Sequence, residues 1–220
     1  MRALLLAALL LLTAPAARAW VAMEAPPQST VAWVAQDMVY NGVPMRIQYF
    51  HSKYSLPQVL AYYRQRWTDI GWKNYVEYTA GPWRNISRAQ GDFFVVVQVR
   101  PATGNTAEGY LSQRPLKMSP RPLLGQGVPL PPGSKVANDI QSNDGDRLGR
   151  TVLAFCPLSV NASAAYYREY MAKDGWSLVS EGKARNGGRQ MVLRKDNQEL
   201  SVAFAPSGDG TAIGMTIVTR

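Results

Sequence analysis

The sequence predicts an α+β protein of two tandem repeats, each an antiparallel sheet with one helix packed on a face, in the order strand-strand-helix-strands. Short motifs recur in the same order at an offset of 104 or 105 positions, which chance seldom produces. The recurring motifs are Pro26-Pro27 and Pro131-Pro132, Ala61-Tyr62-Tyr63-Arg64 and Ala165-Tyr166-Tyr167-Arg168, Gly71-Trp72 and Gly175-Trp176, and Thr106-Ala107-Glu108-Gly109 and Thr211-Ala212-Ile213-Gly214.

Residues 1–19 have the pattern of a secretory signal peptide. Met1-Arg2 supplies the positive start, Leu4 to Leu12 is an unbroken apolar run, and Ala17-Arg18-Ala19 fits the cleavage rule. The alternative is an uncleaved membrane anchor, but the run is shorter than the roughly 20 residues that a spanning helix needs. We therefore expect cleavage near Ala19 and a periplasmic or secreted protein without a membrane span.

The predicted division of the remaining chain follows the motifs. Residues 20–113 form the first repeat and residues 129–220 the second, while 114–128 form a linker rich in Pro and Gly. The alternative for the linker is a docking segment in polyproline conformation for another protein.

Local signals in the first half predict two strands, a helix and further strands. Asn41-Gly42 is a strong hairpin signal between strands at 31–40 and 45–50. Ser55 is suited to cap a helix whose apolar stripe begins at Leu56, and Gly71 is suited to end it. Further strands are expected at 72–78, 83–88, 93–100 and 108–112.

The second half shows the same plan with a weaker apolar pattern. Asn161 or Ser159 is expected to cap a helix that ends at Gly175-Trp176. Strands are expected at 151–155, 189–194, 200–204 and 212–218. We expect Tyr167 and Trp176 to be core residues.

The charge is basic, with a formal net charge of +9, or +7 once Arg2 and Arg18 leave with the signal peptide. A positive surface attracts lipid headgroups, surface polysaccharides and DNA, but it also keeps a secreted protein in solution. The positive residues are scattered, which favours the second interpretation.

No catalytic, metal or cofactor motif stands out, so we expect no enzyme activity, no cofactor and no metal. Cys156 stands in an apolar run, where a small buried residue is expected. His51 lacks the local pattern of a catalytic triad. The acidic stretch from Asp139 to Asp146 lacks the spacing of a calcium loop and is better explained by a hairpin turn.

Aromatic and arginine residues present in only one half are the candidate interface residues. Such side chains on an exposed sheet face often anchor a protein interface or a platform for sugars or nucleic acid. These candidates are Trp33, Tyr75, Tyr78, Trp83 and Arg84.

The motif order resembles small α+β modules of poorly characterised bacterial envelope proteins, in which a PxPG motif precedes a helix ending in fY…GW. Leu130-Pro131-Pro132-Gly133 and Tyr167…Gly175-Trp176 match this pattern, whereas the first copy has Gln28 in place of the glycine. The resemblance implies an envelope location and brings no catalytic residue.

These observations predict a non-enzymatic periplasmic accessory or adaptor protein of an envelope assembly, with another envelope protein as its partner. The alternative is a binding module for an anionic surface polymer or DNA. The sequence leaves the oligomeric state open.

Overall fold

The structure is a computed structural model that describes residues 20–68, 75–117, 123–144, 147–184 and 186–219. Two α-helices lie within these ranges, α1 (Leu56–Thr68) and α2 (Val160–Lys173), together with a short 3₁₀ turn at Thr103–Asn105. The strands are β1 (Ser29–Tyr40), β2 (Val43–Ser52), β3 (Tyr75–Ala80), β4 (Trp83–Gln90), β5 (Phe93–Pro101), β6 (Ala107–Pro115), β7 (Lys135–Asp144), β8 (Arg147–Cys156), β9 (Ser177–Lys183), β10 (Arg189–Lys195), β11 (Gln198–Ser207) and β12 (Gly210–Thr219).

All twelve strands belong to one antiparallel sheet, in the order β3-β4-β5-β6-β2-β1-β7-β8-β12-β11-β10-β9. The predicted fold class, two tandem repeats each with its own sheet and helix, is therefore wrong. The described chain is dominated by a single continuous sheet that carries two α-helices. The inner strands of the two halves, β1 and β7, pair with each other over four residues, so these residues satisfy their backbone hydrogen bonds across the middle of the sheet.

The pairing of β1 with β7 forms the seam of the sheet. It joins Asp37–Tyr40 to Ile140–Asn143 in antiparallel register. Asn41 strengthens it from the adjoining turn: its N–H donates to the Asp139 carbonyl at 2.8 Å, and its Oδ1 accepts from the Asp139 N–H at 2.8 Å. Asn41 and Gly42 have φ of 48° and 77°, as the predicted hairpin turn requires.

Both helices pack on the same face of the sheet, which we call the helix face. Alternation along each strand directs one row of side chains to this face. The core beneath α1 includes Phe50, Tyr63 and Val97, and the core beneath α2 includes Tyr167 and Phe204. No helix in the described ranges has the length and apolar character needed to cross a membrane.

The ends of α2 follow the sequence signals. The Ser159 side chain accepts a hydrogen bond from the Ala162 N–H, which makes Ser159 the N-cap. Gly175 adopts φ +82° and the Trp176 N–H donates to the Met171 carbonyl, so the helix ends in a glycine cap and turns Trp176 into the core. Trp176 is buried as predicted. The matching Gly71-Trp72 motif, expected to end α1, lies outside the described residues.

An extended segment runs beside each helix on the helix face. The Tyr63 hydroxyl donates to the Glu24 carbonyl at 2.9 Å, and the Tyr167 hydroxyl donates to the Pro129 carbonyl at 2.7 Å. These bonds hold the segments before β1 and β7 against the core. The domain boundaries at 19, 113 and 128 stay predictions.

Candidate functional site

The helix face carries a groove at the seam, which we call the central groove. Its volume is about 420 Å³, within the range typical of small-molecule sites. No residue of α1 or α2 lines it, because it lies where the sheet passes from one helix to the other. The lining residues are Trp20, Asp37, Met38, Val39, Pro44, Met45, Gln141, Ser142, Asn143, Leu148, Gly149, Arg150, Ile217 and Thr219.

Strand register builds the floor of the groove. Val39 on β1 pairs with Gln141 on β7, Gln141 pairs with Arg150 on β8, and Arg150 pairs with Ile217 on β12. Directly opposed residues lie on the same face of a sheet, so these four side chains form one cross-strand row. The row places an amide and a guanidinium between two apolar side chains.

Trp20 belongs to one wall of the groove. Its ring lies 4.9 Å from the ring of Phe93, and the Arg46 guanidinium lies 4.9 Å from its centroid. The next residue, Val21, exchanges two hydrogen bonds with the buried Gln113 side chain, at 3.1 and 2.9 Å. The start of the described chain is thereby fixed on the sheet.

Arg150 is held by a network of charged and polar groups. Its guanidinium donates to both Asp139 carboxylate oxygens, at 2.9 and 2.7 Å, and to the Gln126 carbonyl at 3.0 Å. The Gly125 N–H also donates to Asp139, at 2.8 Å. The hydrogen bonds from Arg150, followed by that from Gly125, hold the pKa of Asp139 below its ordinary value against the opposing effect of burial. Arg150 therefore enters the groove in a fixed orientation, with much of its charge balanced.

The lining of the groove is mainly apolar and carries a few polar side chains, among them Asp37, Ser142 and Arg150. Within the described ranges, no three His, Cys, Asp or Glu side chains come together as metal ligands. Cys156 is buried, as predicted, with its sulfur 3.2 Å from the Ser163 hydroxyl, and His51 lies 3.3 Å from the Thr106 hydroxyl. Neither residue lines the groove. The arrangement is suited to reversible binding.

The five candidate interface residues do not form one patch. Trp33 lies on β1, whereas Tyr75 and Tyr78 lie on β3 and Trp83 and Arg84 on β4. Three strands separate β4 from β1, a distance of about 19 Å at the usual strand spacing. Tyr75 packs against the core beneath α1, while Trp33 and Tyr78 are 44% and 47% exposed.

The arginines of the first half are mostly neutralised by carboxylates. Four pairs are present: Arg46 with Asp37 at 3.4 Å, Arg64 with Glu77 at 2.6 Å, Arg66 with Glu24 at 2.9 Å and Arg100 with Glu108 at 2.6 Å. Arg84 and Arg88 differ, since no carboxylate in the described part of the chain lies within ion-pair distance of either, and of the two only Arg88 is half-buried.

A family comparison bears on the second half of the chain. A family model described as START domain-like matches residues 138–211. The match runs from β7 into β12 and covers about a third of the chain, so it describes a similarity of that segment. The comparisons give no support to the resemblance to PxPG envelope modules in tandem. No curated protein and no solved structure matches the chain.

Sequence reasoning missed the groove because its residues come from five strands and from Trp20. No local motif joins them. The one available signal was Trp20 itself, a large aromatic side chain directly after the expected cleavage site.

Proposed function

We propose that this protein is a non-enzymatic binding protein of the periplasm or the cell exterior, and that its central groove holds one small amphipathic molecule. The groove itself carries the proposal, because a concave, mainly apolar site with a few fixed polar groups is the usual form of a small-molecule site.

The lining indicates the chemistry of the ligand. Val39, Pro44, Leu148 and Ile217 offer apolar contact, and removal of apolar surface from water drives such binding. Gln141 and Arg150 place hydrogen-bond donors in the same row as this surface. A ligand with an apolar body and one hydrogen-bond acceptor satisfies both parts.

The segment that resembles the START domain-like family overlaps the groove. The segment that resembles START domain-like proteins includes six of the lining residues, all on β7 and β8. Part of the floor of the groove therefore lies inside the matched segment.

Filling the groove is expected to weaken binding. In Val39→Trp a large ring occupies the floor, so a fluorescent amphiphile such as anilinonaphthalene sulfonate should bind at least about tenfold more weakly, a loss of about 1.4 kcal/mol. Fluorescence titration of the purified protein measures this. Val76→Trp is the matched control, because Val76 is 64% exposed on β3, away from the groove. Equal, saturable binding by both variants would contradict the proposal.

An adaptor role is the second candidate, favoured by exposed apolar side chains on β1. Val31, Trp33 and Val34 are 47%, 44% and 56% exposed, and Val34 lies at an irregularity in the pairing of β1 with β2. Adjacent apolar side chains of this kind mark interaction surfaces when they form a contiguous patch.

Crosslinking in intact cells tests the adaptor role. A photo-crosslinking residue at position 34 should capture a defined envelope protein, and Trp33→Ala should reduce that capture. The same crosslinker at position 76 is the control. Capture of the same proteins from both positions would count against a specific partner surface.

The alternative of an anionic polymer or DNA receives less support. Four arginines of the first half are already paired with carboxylates, which reduces the free positive charge that phosphate or sulfate groups attract.

A further inference from the structure

A second, smaller cavity lies between α1 and the sheet, and we call it the Arg88 cavity. Its volume is about 120 Å³, room for about four waters at the volume each has in the liquid. Its walls are the segment before β1, α1 and strands β4 to β6. The lining residues are Ala22, Met23, Glu24, Tyr62, Tyr63, Arg66, Trp67, Arg88, Gln90, Val95, Val97 and Leu111.

Arg88 is held in this cavity without a carboxylate partner. Its Nη2 donates to the Gln90 side chain at 2.7 Å, and its guanidinium lies 4.9 Å from the centroid of the Trp67 ring. Its Nε is buried and has no hydrogen-bond partner. Arg88 as a whole is half-buried, and a charge that is partly withdrawn from water is costly unless it is paired, so this arrangement requires an explanation.

The second half of the sheet shows that the place occupied by Arg88 on β4 does not require a charged residue. Ile86 on β4 pairs with Val97, and Met191 on β10 pairs with Val202, so the two residues have equivalent places in the sheet. Arg88 lies two residues after Ile86, and Leu193 lies two residues after Met191, so Arg88 and Leu193 also occupy equivalent places. Leu193 is 1% exposed and belongs to the core beneath α2, so leucine fills this place where no charge is present.

We propose that the Arg88 cavity binds a small oxyanion, a phosphate or a carboxylate group, that pairs with the Arg88 guanidinium. The planar donor fork of arginine matches the oxygen atoms of both groups. The group is either a free anion or the headgroup of a larger molecule.

Neighbouring charges support this location. Arg66 lines the same cavity, and burial followed by the positive charge of Arg66 lowers the pKa of Arg88, while the nearby Glu24 carboxylate partly opposes this shift. An incoming anion relieves the repulsion between these two cations. Glu24, 55% exposed, pairs with Arg66 and is the one carboxylate of the lining, so it competes with an external anion.

Anion binding is measured by calorimetry and by thermal melting with inorganic phosphate, against chloride at matched ionic strength. We expect phosphate to bind the purified protein and to raise its melting temperature, since a ligand that binds only the folded state stabilises it. Arg88→Leu, which copies Leu193, should keep the fold and lose at least about tenfold in phosphate affinity. Arg84→Leu, an exposed arginine on the same strand, is the matched control.

Further variants and ligands complete the test. Glu24→Gln removes the competing carboxylate and should tighten phosphate binding severalfold. This variant tests the proposed anion site even if Arg88→Leu fails to fold. A short-chain phosphatidate that binds tenfold tighter than phosphate identifies a headgroup, whereas equal affinity identifies a free anion. Absence of phosphate and acetate binding, equal binding by Arg88→Leu, or an unchanged affinity in Glu24→Gln would overturn the proposal. Val39→Trp should leave phosphate binding intact, which separates this site from the central groove.

Discussion

Tyr167→Ala is expected to lower the free energy of unfolding by about 3–5 kcal/mol, the usual cost of truncating a large aromatic side chain in a core. Tyr167 is 0% exposed and its ring meets Phe204 at 5.4 Å in an edge-to-face arrangement. Burial raises the pKa of its hydroxyl well above the ordinary value, so the group stays protonated and donates to the Pro129 carbonyl. Chemical denaturation followed by circular dichroism measures the loss.

Two further variants separate packing from hydrogen bonding at this position. Tyr167→Phe keeps the ring and removes the bond to Pro129, so it should cost about 1 kcal/mol. Tyr170→Ala is the control on the same helix, because Tyr170 is 48% exposed and its loss should change stability little. Equal losses from Tyr167→Ala and Tyr170→Ala would show that Tyr167 does not support the core as described.

Asp139→Asn is expected to cost about 3 kcal/mol. The carboxylate is 6% exposed and joins Arg150 to Gly125, so its loss leaves the guanidinium without its partner. We place the value at the lower end for a broken buried pair because Arg150 keeps 24% of its side-chain exposure. Asp37→Asn is the control, since its carboxylate is 62% exposed and pairs with Arg46 at 3.4 Å.

The lowered pKa of the Asp139 carboxylate should make the stability of the protein depend on pH. The pKa of Asp139 is lower in the folded state than the unfolded value of about 3.9, so the folded state favours the ionised form. Its contribution is present above the unfolded pKa and is lost as the pH falls through the folded pKa. The difference in melting temperature between the parent and Asp139→Asn should shrink below about pH 4. A constant difference down to strong acid would contradict this.

Local elements were predictable because their signals are local. The Asn41-Gly42 turn has the positive φ angles that its sequence indicates, and Ser159 and Gly175 terminate α2 as expected. The apolar stripe of α1 predicted its start at Leu56. In each case, the residues that make the interaction lie within a few positions of one another.

The seam was not predictable, and with it the fold class. It pairs Asp37–Tyr40 with Ile140–Asn143, about a hundred residues away, and no short pattern specifies such a contact. The acidic stretch from Asp139 to Asp146 was interpreted as a hairpin turn, whereas β7 extends through most of it to Asp144 before pairing with β8 from Arg147. Pairing with β1 and β8 on either side overrides the weak strand propensity of Asn and Asp.

The candidate sites divide in the same way. The central groove forms at the seam, so it could not be predicted from the sequence without the pairing of β1 with β7. The inward position of Arg88 could have been predicted from the sequence. Side chains alternate along the predicted strand, so Arg88 lies on the same face as Ile86, the face directed toward the core. An arginine at an inward position is the kind of departure from pattern that indicates a binding site.

The seam also governs how this protein meets other chains. Two separate six-stranded sheets would present four open edges on which a foreign strand can add, a route to aggregation. Joined only through Asp37–Tyr40 and Ile140–Asn143, the sheet leaves the earlier residues of β1 without a partner on β7, and its end strands are β3 and β9. These strands have six and seven residues, whereas β1 at the centre has twelve. Short end strands offer few backbone groups to an intruding chain, which limits strand addition at the two ends of the sheet.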